Sequence, residues 1–157
     1  MALTAEDETP MRLAIEASQA ALAAGNMPFG ATLCSPQGEL LWTAQNNQAT
    51  SGDCTGHAEL VLVRDAVRAL GAPALRGATV YASGEPCAMC AGAMFWAGVG
   101  RVVFAASTAD IHRALGGDEL PIRTAQVYAG ARPAVQVEGP LMAEAAISVL
   151  QRWAGQR

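Results

Sequence analysis

Two short stretches, Thr55-Gly56-His57-Ala58-Glu59 and Glu85-Pro86-Cys87-Ala88-Met89-Cys90, decide how the rest of this 157-residue sequence is read. Pro86 suits the first position of a helix, where a missing N–H costs nothing. That predicts Cys87 and Cys90 in the first turns of one helix, three residues apart, with their sulfurs on the same side. The positive end of the helix dipole there favours thiolate, the form that binds metal. His57 begins another predicted helix, where the same field disfavours imidazolium and leaves a ring nitrogen free as a ligand. One neutral imidazole, two thiolates and one water would give a tetrahedral zinc ion with a position open to solvent. Glu59 lies two residues beyond His57 and does not share its face of a regular helix, so it is read as a general base beside the water.

Each half of the pattern alone is weak. A lone Cys-x-x-Cys fits a redox pair or half of a structural zinc site equally well, and a lone His-x-Glu carries almost no information. Both together, each ahead of a helix, favour a catalytic metal. A structural zinc would need a fourth protein ligand, and neither His112 nor Cys54 has a convincing spacing.

Working outward, Thr9-Pro10 opens a helical pattern with Met11, Ile15, Ser18 and Leu22 on one face, ended by Gly25. Phe29 to Cys34 and Leu40 to Ala44 read as strands joined by the turn Ser35-Pro36-Gln37-Gly38. A polar loop, Asn46 to Gly56, leads to the helix at His57, whose predicted buried stripe is Leu60, Val63, Val67 and Leu70. Arg64, Asp65 and Arg68 face outward from it. Ala78 to Ala82 is a predicted strand, Cys87 to Ala97 a helix and Arg101 to Ala105 a strand. The segment from Thr108 to Gly130 is poorly legible beyond a helical start, and Val135-Gln136-Val137 suggests a last strand. Pro140 opens a final helix carrying Met142, Ala146, Val149, Leu150 and Trp153 along one side. A hairpin followed by alternating strands and helices predicts an α/β fold: a three-layer α/β/α sandwich on one mixed five-stranded sheet, as a single domain over 1–157.

Composition narrows the function classes. All ten basic residues are Arg, which excludes Schiff-base lysine chemistry, and the net charge of -4 argues against a broad nucleic-acid surface. The acidic start, Met1 to Thr9, lacks a secretory pattern, and the longest apolar run, Cys87 to Gly100, is too short for a membrane span. A reducing cytoplasm is expected, with the four cysteines serving thiol or metal chemistry or, as for Cys34, packing in a strand. Cys54 lies near the site without an assigned role.

The His-x-Glu and Pro-Cys-x-x-Cys order is the signature of the zinc nucleobase deaminases, and at these residues the sequence resembles the cytidine-deaminase-like superfamily. Met27-Pro28-Phe29-Gly30-Ala31, Asn46-Asn47, Gly92-Ala93 and Gly100-Arg101-Val102-Val103-Phe104 resemble segments of bacterial guanine deaminases and tRNA adenosine deaminases. The resemblance implies a Zn2+-dependent hydrolytic deaminase held by His57, Cys87 and Cys90. Glu59 would carry protons from water to a ring nitrogen and to the departing amine. It also implies that Asn46 hydrogen-bonds the base, that Phe29 and Trp96 sandwich it, and that Asp118 assists proton transfer. Core packing for the two aromatics, turn satisfaction for Asn46 and an exposed loop for Asp118 are the plainer readings of the same residues. Phe95-Trp96-Ala97 is more similar to the guanine branch. Against that branch, Gly116-Gly117 precedes Asp118 where an aromatic residue is usual, and the chain ends Trp153-Ala154-Gly155-Gln156-Arg157 without a terminal aromatic.

The expected substrate is a free nucleobase or related amino-substituted heterocycle, guanine-like first. A tRNA adenosine-to-inosine deaminase, a nucleoside, pterin or aminotriazine deaminase and a non-catalytic zinc module are the alternatives. A small-molecule substrate, no membrane partner and a homodimer with exchanged C-terminal segments complete the expectation.

Overall fold

Alternation along the central strands creates the layers. On β1 (Gly30–Cys34), β3 (Thr79–Gly84) and β4 (Arg101–Ala106), successive residues enter opposite cores. Leu33, Val80 and Val102 pack with Leu62, Ala66 and Met94, whereas Cys34, Tyr81 and Val103 pack with Met11, Ile15, Val149 and Leu150. The computed structural model, which describes residues 2–157, therefore holds one sheet covered on both faces. Helices α3 (Ala58–Leu70) and α4 (Ala88–Ala97) lie on one side, and α1 (Glu8–Ala23) and α7 (Ala143–Gly155) on the other.

The strand order is β2-β1-β3-β4-β5, with β2 at Leu40–Gln45 and β5 at Gln136–Glu138. β1 is antiparallel to β2 and β3, whereas β3, β4 and β5 run parallel. This is the predicted mixed five-stranded sheet, and the β1–β2 hairpin is present. Close packing fixes α1 against the face of β1: a Cβ on Gly30 would stand 2.2 Å from the Ala14 carbonyl oxygen.

The N-terminus is tied across the sheet by charge. Asp7 ends a 3-10 turn, Ala5–Asp7, and is 3% exposed. Its carboxylate accepts bonds from both terminal nitrogens of Arg101, at 2.7 and 3.1 Å, and from the Tyr81 hydroxyl at 2.7 Å. Arg101 also donates to Glu138 at 2.8 Å, so one guanidinium joins the N-terminal segment, β4 and β5. The Arg101 hydrogen bonds hold the Asp7 carboxyl well below the usual carboxylate range.

Several element boundaries differ from the sequence reading. Helix α4 begins at Ala88, so Cys87 is its N-cap and Pro86 lies outside it. The loop after Asn46 contains a one-turn helix α2, Gln48–Ser51, with Gly52 in the left-handed conformation as its stop. On α3 the buried face is Ala58, Glu59, Leu62 and Ala66, not the stripe Leu60, Val63, Val67 and Leu70; Leu70 is exposed. Alanine lets that helix approach the sheet, and the larger residues flank the contact. Asp65 is half-buried for the same reason. The obscure segment contains α5 (Thr108–Leu115), started by a Ser107–Asp110 capping box, and a single turn α6 (Thr124–Val127). The last helix starts at Ala143, after Met142 in a left-handed conformation, and not at Pro140.

Candidate active site and metal centre

The two signature stretches meet because α3 and α4 start side by side at one end of the sheet. His57 is the N-cap of α3 and Cys87 the N-cap of α4, both with extended backbone. Cys90 is the third residue of α4 and is fully buried. One ligand atom from each of His57, Cys87 and Cys90 lies within 4.8 Å of the others, and Cys87 Sγ stands 3.5 Å from His57 Nδ1. One nitrogen and two sulfurs at this spacing fit a small divalent ion of borderline softness such as zinc. Among the described residues, neither Cys54 nor His112 joins the group, so the donor set has three members.

Charge in the cluster is arranged for a metal. A hydrogen bond from Cys90, supplemented by one from His57, pulls the Cys87 thiol down to about 4 against the effect of burial. The shared bond with Cys87 and burial push the Cys90 thiol up, while the Cys87 bond raises His57. Cys87 is therefore the readier thiolate, and Cys90, which donates to it, would have to give up its proton to a bound dication.

Glu59 is 5% exposed and sits outside the metal-ligating group, in the first turn of α3. Burial raises its pKa above the usual carboxylate range, the direction that suits a group which takes up a proton and returns it.

His57, Glu59 and Cys87 line a cleft of about 880 Å³, a size that admits a heterocyclic ligand. Phe29 and Asn46, which flank the hairpin, line this cleft. Asn46 is 1% exposed; its side chain bonds Gln48, so the turn-satisfying reading also holds. Asp118 lies on the rim, exposed, in the loop after α5. Trp96 does not line the cleft. It is 83% exposed on the outer side of α4, edge-on to Phe95 at 5.0 Å, so its expected place in a base sandwich within this chain is corrected. Cys54 is an exposed part of the cleft wall, and Cys34 is buried in β1 as expected.

Four side chains near the site escaped the sequence reading. Trp153 and Arg157 from the end of α7 line the cleft, with the guanidinium 4.4 Å from the indole centroid. Only the packing of α7 brings them there. Glu85 accepts the backbone N–H groups of Thr108 and Thr124, at 2.8 and 3.4 Å, and so fastens both ends of the segment carrying Asp118. Gln48 is the fourth, and its place directly after Asn46-Asn47 was the available signal. No helix among the described residues is long and apolar enough to cross a membrane.

Comparison with known proteins converges on the same centre. Residues 4–106 match the family model of the cytidine and deoxycytidylate deaminase zinc-binding region. The chain is 41% identical over 101 residues to the tRNA-specific adenosine deaminase of Bacillus subtilis, covering 64% of this chain and 62% of that protein. It is 43% identical over 83 residues to the guanine deaminase of the same organism, covering 53% of each. The matches thus span less than two thirds of those relatives. The solved guanine deaminase of Nitrosomonas europaea superposes with a TM-score of 0.82 at 26% identity, over 99% of this chain and 87% of that one.

Proposed function

The chain belongs to the cytidine and deoxycytidylate deaminase family with its zinc-binding region, and from that premise we propose that it is a hydrolytic deaminase of a free, guanine-like nucleobase. The observation that carries this reading is the three-membered His57, Cys87 and Cys90 group with a buried Glu59, three of the four side chains (His57, Cys87 and Glu59) lining one cleft. These three side chains would hold the ion, which when bound supplies Lewis-acid activation of solvent. Glu59 would take a proton from the attacking water and place it on a ring nitrogen. It would then take the second proton, from the hydroxyl now bonded to the ring carbon, and pass it to the amine as the C–N bond breaks, leaving a carbonyl and ammonia. Phe29 and Asn46 would contact the base, and Asp118 would assist proton transfer from the rim. The whole of 1–157 would act as one deaminase domain.

The similarity to guanine deaminases in sequence and in structure supports the substrate class. A tRNA substrate is the second reading, favoured by the similarity to the B. subtilis tRNA-specific enzyme. Against it stand the net charge of -4 and a cleft rim bearing Asp118 and Glu119 beside Arg157, a poor setting for phosphates. Four free cysteines support a reducing, cytoplasmic setting. A homodimer is supported by α4, which has no charged residue and exposes Met89 and Trp96 seven residues apart on one face. Helix α7 packs on its own chain's core, so exchange of C-terminal segments is not needed to seat it.

Zinc-loaded protein should release ammonia in a screen of guanine, cytosine, adenine, their nucleosides, pterins and aminotriazines. The Glu59→Ala variant should keep its zinc and lose turnover. Turnover surviving in that variant would remove the proposed base, and salt-sensitive filter binding of tRNA would favour the second reading.

A further inference from the structure

The Asn46 amide is not free to choose its orientation. Its Oδ1 lies 3.0 Å from the backbone N–H of Gln48, a group that can only donate. Oδ1 must therefore be the atom at that place, and Nδ2 takes the other. Nδ2 donates to Gln48 Oε1 at 2.7 Å. Gln48 Nε2 in turn points at the Cys54 carbonyl oxygen, a group that can only accept, at 3.4 Å. The Gln48 N–H thus fixes which Asn46 atom is Oδ1, while the Gln48 side chain, directed by the Cys54 carbonyl, holds Nδ2 and so the tilt of the Asn46 amide plane. Asn46, Gln48 and Cys54 all line the cleft, and the Asn46 backbone is itself pinned by an N–H bond to the Phe29 carbonyl at 3.0 Å.

An amide in this position has one acceptor site and one N–H left over, in a fixed order. It can pair with a substrate edge offering a donor and an acceptor in the matching order, and not with the reverse. Guanine offers an acceptor at C6 beside a donor at N1. 2,6-Diaminopurine carries the same 2-amino group but reverses that edge, with a donor at C6 and an acceptor at N1. We propose that Gln48 is a positioning residue that locks the Asn46 amide and thereby sets the preference for a lactam edge over its amino-substituted mirror. This inference rests on the deaminase reading above, since it assigns Asn46 to the base.

The test uses zinc-loaded Glu59→Ala protein, in which neither ligand is consumed, and measures dissociation constants for guanine and 2,6-diaminopurine by calorimetry. Gln48→Leu removes the Oε1 acceptor at similar volume, and Gln48→Glu retains it. With Gln48 present, guanine should bind at least about tenfold more tightly than 2,6-diaminopurine, the ratio expected for one matched hydrogen bond. Gln48→Leu should reduce that preference about tenfold, whereas Gln48→Glu should keep most of it. In the otherwise unaltered enzyme, Gln48→Leu should raise KM for guanine much more than it lowers kcat, with zinc content unchanged. A preference undiminished in Gln48→Leu, or lost equally in Gln48→Glu, would overturn the positioning role while leaving the deaminase reading intact. Failure of the parent protein to bind either purine would overturn both.

Discussion

Asp7→Asn is the sharpest test of how this fold is held together. The substitution keeps shape but turns one carboxylate oxygen into an NH2 group. If Oδ1 keeps the Tyr81 hydroxyl and the nearer Arg101 nitrogen, both at 2.7 Å, the new NH2 faces two donors. These are the second Arg101 nitrogen, formerly 3.1 Å away, and the Thr4 N–H, formerly 2.8 Å away. Two bonds to a charged group are lost, each worth roughly 1.5–3 kcal/mol. Removing one partner of a buried ion pair costs about 3–5 kcal/mol. Arg101 keeps Glu138 at 2.8 Å, so the lower end of that range, about 3 kcal/mol, is expected.

Urea unfolding at pH 7, with matched zinc content, measures the difference directly. A pH series adds a second constraint. The Asp7 pKa is depressed in the folded state, so its stabilisation is present above the unfolded value near 3.9 and is lost as pH falls below it. The gap between the two proteins should shrink by about 1.4 kcal/mol for each pH unit below that value, until the folded carboxyl also protonates. Loss of metal in acid affects both proteins alike and cancels in the difference. A gap under about 1 kcal/mol at pH 7, or one that stays constant down to pH 3, would refute the ion-pair account.

Other perturbations test other levels of the structure. Cys90→Ser should leave less than stoichiometric zinc after dialysis and reduce ammonia release at least about hundredfold, read by metal analysis and a coupled assay; full zinc retention would contradict a three-ligand centre. Gly30→Ala should lower the thermal midpoint and cost at least about 2 kcal/mol, because its methyl group would meet the Ala14 carbonyl oxygen at 2.2 Å. Trp96→Glu should shift sedimentation from dimer to monomer if the exposed face of α4 joins two copies. Unchanged guanine binding in that variant would agree with the placement of Trp96 outside the cleft.

The sequence by itself determined the metal-binding chemistry and the element order. His57, Cys87 and Cys90 were legible because ligand identity and spacing are local properties, and each sits at the start of a helix whose sequence announces it. The hairpin and the parallel strands were legible from short apolar runs between turn residues. Local pattern could not say which side of α3 faces the sheet, because a close approach there selects Ala58 and Ala66 over the larger Leu60 and Val63. Nor could it place the tryptophans. Trp96, seven residues after Met89 on an outward face of α4, is left in solvent, while Trp153 reaches the cleft from α7. The same holds for the Asp7, Arg101 and Glu138 cluster, whose members come from the N-terminus, β4 and β5 and meet only once the sheet has formed. Contacts between residues far apart in the chain depend on how helices dock on the sheet, and docking is set by the summed packing of the whole molecule.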